Sequence, residues 1–100
     1  MLNYKRKEER VVCELMVVMG KAWGIARNIS ASGIFFETDW ELALGSRIDF
    51  MIAYDTPGGV IRLNCSAWIV RIEQRDNQLG VAARIIESKF SVTTLYNNEQ

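Results

Sequence analysis

Alternation is the feature that most restricts what this chain can fold into. Across residues 60–73, Ile61, Leu63, Cys65, Ala67 and Ile69 occupy every second position, with Arg62, Asn64, Ser66, Trp68 and Val70 between them. Successive side chains of an extended strand point to opposite faces, so this pattern describes a strand with one face on a core. Five further segments read as strands. Residues 11–18 are apolar and β-branched around Glu14. Residues 22–28 set Trp23, Ile25 and Arg27 against Gly24 and Ala26, and small residues suit a crowded or curved part of a sheet. Residues 34–37 make a short strand, 47–54 alternate charge with apolar side chains, and 79–86 form a last strand around Gly80.

The punctuation agrees. Gly20-Lys21 is a tight-turn candidate, Asp55-Thr56-Pro57-Gly58-Gly59 is the clearest turn, and Arg75-Asp76-Asn77-Gln78 reverses the chain again. The connection 38–46 carries Trp40, Leu42 and Leu44 with a closing Gly45, and is expected to pack partly onto the core. Trp23 and Trp40 are expected in the core or packed on it, whereas Trp68 falls on the polar face of its strand. Six strands at short spacing imply an antiparallel barrel or sandwich. In 100 residues a small closed barrel is the better solution, because closure removes exposed edges. Residues 88–97 are expected to form a short C-terminal helix capped by Ser88 and docked by Phe90, Val92 and Leu95. The expected organisation is one domain: a flexible, charged arm over 1–10, a barrel over 11–87 and the helix over 88–97.

Composition removes several classes of function. Twelve basic and twelve acidic residues cancel, so no bulk field attracts a nucleic-acid polymer, and any anion site must be local. The longest nearly apolar run, 11–19, is far too short to cross a bilayer, and no apolar leader follows Met1, so a cytoplasmic protein without membrane insertion is expected. Cys13 and Cys65 lie in apolar strands and read as buried free thiols. There is no histidine, which argues against a metal site. The carboxylates are scattered and Ser30 and Ser32 lack a base, so neither an enzyme nor a cofactor is expected.

Two short motifs stand out against this background. Arg6-Lys7-Glu8-Glu9-Arg10 reads as RxxxR before the first strand, and Asn28-Ile29-Ser30-Ala31-Ser32-Gly33 reads as NxSxxG after the second. Alone, each has a bland explanation: a solvated charged tail, and a turn built from turn-favouring residues. From average composition, RxxxR arises by chance in roughly a quarter of chains this long and an [Asp/Asn]xSxxG match in about one in twenty. Both together, in this order and placement, are far rarer. Their chemistry converges on an anionic, guanine-bearing ligand. Arginine's fork meets O6 and N7 of guanine together, clamps a phosphate, or stacks on a base. The Asn28 carbonyl oxygen can accept from guanine N1–H or N2–H, Ser30 can donate to a phosphate or base acceptor, and Gly33 permits close backbone approach or a positive φ.

On these residues the chain resembles the PilZ domain family. Arg6 and Arg10 match the family's RxxxR, and Asn28, Ser30 and Gly33 match its [Asp/Asn]xSxxG. Ala67-Trp68-Ile69-Val70-Arg71 and Gly80-Val81-Ala82-Ala83-Arg84 look like the family's last two strands, so the resemblance spans roughly residues 5–90. It implies a mainly-β fold, a six-stranded antiparallel barrel with a C-terminal helix, and binding of the bacterial second messenger cyclic di-GMP. It implies Arg6, Arg10, Asn28, Ser30 and Gly33 as ligand-binding residues, bound to one messenger molecule or a stacked pair. Asparagine at 28 gives up the charge assistance of the alternative aspartate. The expected mechanism is ligand-driven ordering of the arm, which changes the surface shown to a separate protein target. The rival expectation is a barrel of the same type that serves as a protein-interaction module and binds no nucleotide.

Overall fold

The computed structural model describes residues 9–94. Its six strands are β1 (Val11–Met19), β2 (Ala22–Ile29), β3 (Gly33–Thr38), β4 (Arg47–Thr56), β5 (Gly59–Arg75) and β6 (Gln78–Thr94). All neighbours are antiparallel, and the sheet closes into a barrel in the order β1-β2-β3-β6-β5-β4. Two of the pairings are not hairpins. β3 meets β6 from Gly33↔Arg84 to Thr38↔Leu79, and β4 returns to β1 through Val17↔Ile52 and Val18↔Met51. The tight reversals occur where the sequence allows left-handed backbone: Gly20 has φ 64° and Asp76 has φ 42°.

The inward positions are those that alternation predicts. Val17, Ala26, Ile34, Phe36, Phe50, Ile52, Cys65, Ala67, Ile69, Val81 and Ala83 form one buried cluster. So narrow a barrel cannot fill its interior with large side chains alone. Phe36 supplies bulk and Gly24 yields space beside it: a Cβ built on Gly24 would lie 2.5 Å from the Glu37 carbonyl oxygen and 3.2 Å from the Phe36 ring. Thr38 is polar yet 1 % exposed. Its hydroxyl donates to the Trp23 carbonyl at 2.7 Å and accepts from the Trp40 amide at 3.1 Å, which satisfies it and anchors the connection after β3.

Register shifts interrupt the ladders. In β2, Ala26 pairs with Phe36 and Asn28 with Phe35, leaving Arg27 as an extra residue. In β5, Ile69 pairs with Ala83 and Arg71 with Ala82, leaving Val70 extra; in β6, Ile86 is extra between the partners of Ala67 and Ser66. Each bulge places two consecutive side chains on the outer face before inward alternation resumes.

Three expectations need correction. The helix over 88–97 is absent from the part described: β6 continues as strand to Thr94, and residues 95–97 lie outside the described residues. The reason is pairing, since β5 from Gly59 to Cys65 needs a partner and residues 88–94 supply it. Trp23 and Trp40 are not core residues but 50 % and 45 % exposed; Trp23 shares a face with Ile25, opposite the buried Gly24 and Ala26. Cys65 is buried but Cys13 only half-buried, and both are free thiols. The charged arm over 1–10 lies outside the described residues up to position 8.

Two outcomes follow from this packing. Gly24→Ala drives a methyl into the β3 backbone and should lower unfolding free energy by roughly 1–3 kcal/mol, read by urea titration. Burial pushes the Cys65 thiol up to about 11. At pH 8 the folded protein should therefore hold Cys65 protonated and unreactive toward a thiol reagent until denaturant opens the barrel.

Candidate ligand-binding site

The outer wall formed by β2, β3, β6 and β5 is where the bulges converge. Phe35 lies between buried Ile34 and Phe36 and so points outward; Asn28, its partner, does the same. Without the bulge at Arg27, Asn28 would follow Ala26 onto the inner face. On the far side, the bulge at Val70 turns Arg71 outward, opposite Ala82. The result is a cross-strand row, Asn28–Phe35–Ala82–Arg71, with the row Gly33–Arg84–Trp68 beside it. Small residues, Gly33 and Ala82, sit beside Arg84 and Phe35 in these rows, with Asn28, Arg71 and Trp68 at their ends.

A cleft of about 1140 Å³ occupies this wall, lined by Arg10, Asn28, Ser30, Ser32, Gly33, Phe35, Val70, Arg71, Arg75 and Arg84, among others. Four of the five sequence-nominated residues therefore meet here: Arg10, Asn28, Ser30 and Gly33. Arg6 lies outside the described residues. An Arg10 guanidinium nitrogen donates to the Asn28 amide oxygen at 3.4 Å, a long contact and its one hydrogen bond among the described residues. The bend 30–33 is closed by the Ser30 amide donating to the Gly33 carbonyl at 2.8 Å, and tied to β6 by the Ile85 amide donating to the Ser32 carbonyl at 2.8 Å. The Ser30 hydroxyl has only a 3.4 Å contact to that same Gly33 carbonyl.

Gly33 behaves differently from one of its two expected roles. Its φ is not positive, so the turn does not demand glycine. A Cβ there would approach the Ala83 carbonyl oxygen at 3.4 Å and the Ser30 hydroxyl at 3.9 Å, contacts that the chain can accommodate. What the missing side chain provides is open space on the cleft floor.

Three cationic residues of the cleft were not nominated from the sequence. Arg71 and Arg75 are committed to a chain of ion pairs. Glu73 accepts from Arg71 at 3.1 Å and from Arg75 at 2.9 Å; Arg75 also donates to Glu37 at 3.2 Å, and Glu37 accepts from Arg27 at 2.8 Å. These bonds raise the pKa of Arg75, chiefly through its hydrogen bond with Glu73, and hold the Glu73 carboxyl below its usual range through Arg75 and then Arg71. Arg75 also lies 5.0 Å from the Phe35 ring centroid, over Gly80, where an added Cβ would fall 2.8 Å from Phe35. Arg84 is different: among the described residues its side chain has no hydrogen-bond or ion-pair partner. A signal for two of the three was present, since the stretches 67–71 and 80–84 each end in arginine. The chain is neutral, but its cleft holds a local cluster of cations around small residues, which suits an anion with flat faces.

The sequence profile of the PilZ domain matches residues 3–90. The chain belongs to the PilZ domain family. PilZ domains are generally cyclic di-GMP receptors, typically receptor or effector modules without catalysis of their own. The structure of the Bacillus subtilis inhibitor of motility (MotI/DgrA) is similar, with a TM-score of 0.68 and 19 % identity over 85 % of this chain and 44 % of that one. At that identity the likeness is one of fold, and this PilZ chain spans less than half the length of that protein. None of the curated proteins compared matches the chain. Among the described residues no helix is long and apolar enough to cross a membrane.

The geometry at Gly33 separates a folding role from a ligand role. Gly33→Ala should change the unfolding free energy by less than about 1 kcal/mol by chemical denaturation, in contrast to Gly24→Ala.

Proposed function

We propose that this PilZ domain is a cyclic di-GMP receptor whose ligand lies in the β2–β3–β6–β5 cleft, held by Arg6, Arg10, Asn28, Ser30 and Gly33. The observation that carries the reading is the convergence of Arg10, Asn28, Ser30 and Gly33 on one cleft beside Arg84, which has no hydrogen-bond or ion-pair partner among the described residues. The ligand has two phosphates and two guanines. Arg10 lines the cleft beside Asn28 and Arg84 lines it beside Gly33, and each has donors with which it can take a phosphate or the O6/N7 edge of a guanine. Asn28 offers an amide oxygen to a guanine N–H, at the cost of its long bond to Arg10. Ser30 exchanges a weak contact for a ligand acceptor. A nucleotide ring needs the bare floor at Gly33, where a methyl would stand in its path. A cleft of about 1140 Å³ exceeds the ~300–1000 Å³ usual for small-molecule sites, room enough for a dinucleotide.

The signal follows from where Arg6 and Arg10 sit. Both precede β1, so a ligand that engages them draws the segment before Val11 toward the cleft. That changes the surface beside β2 and β3, and a separate protein target that distinguishes the two surfaces reads the messenger. The ligand acts only to the extent that it binds the two arrangements with different affinity. No proton transfer or bond cleavage is required, so the domain acts by binding and not by catalysis.

Titration calorimetry with cyclic di-GMP tests this. Micromolar or tighter binding is expected, abolished in Arg6→Ala and Arg10→Ala and weakened in Gly33→Ala. Removing a charged hydrogen bond costs about 1.5–3 kcal/mol, so Arg84→Ala should weaken binding roughly 10- to 100-fold. No heat from the unsubstituted protein would overturn the reading in favour of a nucleotide-independent interaction module.

A further inference from the structure

We propose that this PilZ domain forms a two-fold dimer by antiparallel pairing of the outer edge of β6, residues 86–94, with the same edge of a second copy. The edge is left open by the topology. β3 pairs with β6 as far as Gly33↔Arg84, and the Ile85 amide still bonds the Ser32 carbonyl. From 86 onward, among the described residues, β6 has a ladder with β5 on one side and none on the other. Nine residues at ~3.3 Å each give about 30 Å of unpaired backbone, whereas natural edges are kept short, kinked or covered. No proline interrupts this stretch, and its ladder with β5 runs without a shift from Glu87 to Thr94.

The inner face of the same stretch is apolar and open. Phe90, opposite Leu63, is 69 % exposed, and Val92, opposite Ile61, is 55 % exposed. Tyr54, one strand further on, is 45 % exposed. An edge with bare backbone and an exposed apolar face is a template for another strand.

Geometry selects a copy of the same edge as the occupant. If the two-fold axis runs perpendicular to the sheet, opposed residues must share a face, and the pairing is centred on one residue. The midpoint of 86–94 is Phe90. Centred there, every open position gains a partner: Phe90 faces Phe90, Lys89 faces Ser91, Ser88 faces Val92 and Glu87 faces Thr93. No like charges meet, and the apolar faces of both copies become continuous. Centring on Ser88 would oppose Glu87 to Lys89, but it would also bring Val92 against the copy's Arg84, where β3 already occupies the edge. The Phe90-centred register alone uses the whole edge without that collision.

The full chain is used for the test, by light scattering after size exclusion at tens of micromolar. The expected mass is twice the 11.4 kDa of the chain. Phe90→Lys sets two ammonium groups face to face and should give a monomer with an unchanged circular dichroism spectrum. Phe90→Cys should link two copies under diamide, while Thr93→Cys, far from its own counterpart in this register, should not. Deleting residues 95–100 should leave the dimer intact. A monomer for the unsubstituted chain overturns the proposal. So does a dimer that survives Phe90→Lys, that Phe90→Cys fails to link, or that is lost on deleting 95–100. None of these readouts involves cyclic di-GMP, so the dimer and the receptor reading stand or fall separately.

Discussion

The ladder between β3 and β6 is the interaction on which the rest of the molecule depends. It joins the first three strands to the last three, and it is a pairing of distant segments, with Ile34 opposite Ala83 and Phe36 opposite Val81. On its inner side those four residues are buried at 3 % exposure or less. On its outer side the same registration sets Gly33 beside Arg84 and Phe35 beside Ala82, which makes the floor and one wall of the cleft. Where the ladder stops, just past Arg84, the open edge of β6 begins. Core, cleft and edge are therefore consequences of a single registration, and a slip of one residue would exchange inside for outside in all of them.

Charge is organised around the same wall. Glu14, Arg27, Glu37, Arg75, Glu73 and Arg71 form an alternating chain of ion pairs across the barrel's outside. At exposed positions such pairs stabilise weakly, and their more useful effect is to hold long side chains in place. Arg75 is thereby laid over Phe35 and Gly80, at the cleft margin. Arg10 and Arg84 stand outside the chain of pairs. A neutral protein thus presents a localised cationic site, because among the described residues Arg27, Arg47, Arg71 and Arg75 are ion-paired and Arg10 and Arg84 beside the cleft are not.

Much of the architecture was legible because alternation is local. The inward set of β5, the turn at Asp76-Asn77 and the return at Gly20-Lys21 are all read from a few neighbouring residues. The errors have physical causes. Residues 88–94 carry a serine that can cap a helix, but their state is decided by the first half of β5, more than twenty residues earlier, whose edge away from β4 they pair with. For Trp23, hydrophobicity alone suggests the core or a place packed on it, whereas the strand's alternation sets it on the face opposite the buried Gly24 and Ala26. Bulges leave no local mark: nothing in Ala26-Arg27-Asn28 or Ile69-Val70-Arg71 announces that two consecutive side chains will share a face.

By itself the sequence determined the strand count, the inner faces, the turns and the residue types offered to a ligand, since each is set by neighbours within a few positions. It also identified the family through motifs that survive as short strings. Tertiary structure alone decided that Asn28 and Arg71 face the same cleft, that Arg84 lies beside Gly33 without a partner among the described residues, that Gly33 does not adopt a positive φ, and that β6 runs on past β3 with no second ladder among the described residues. These depend on register between segments as distant as Gly33 and Arg84, and on which charges find partners across strands, neither of which any local window contains.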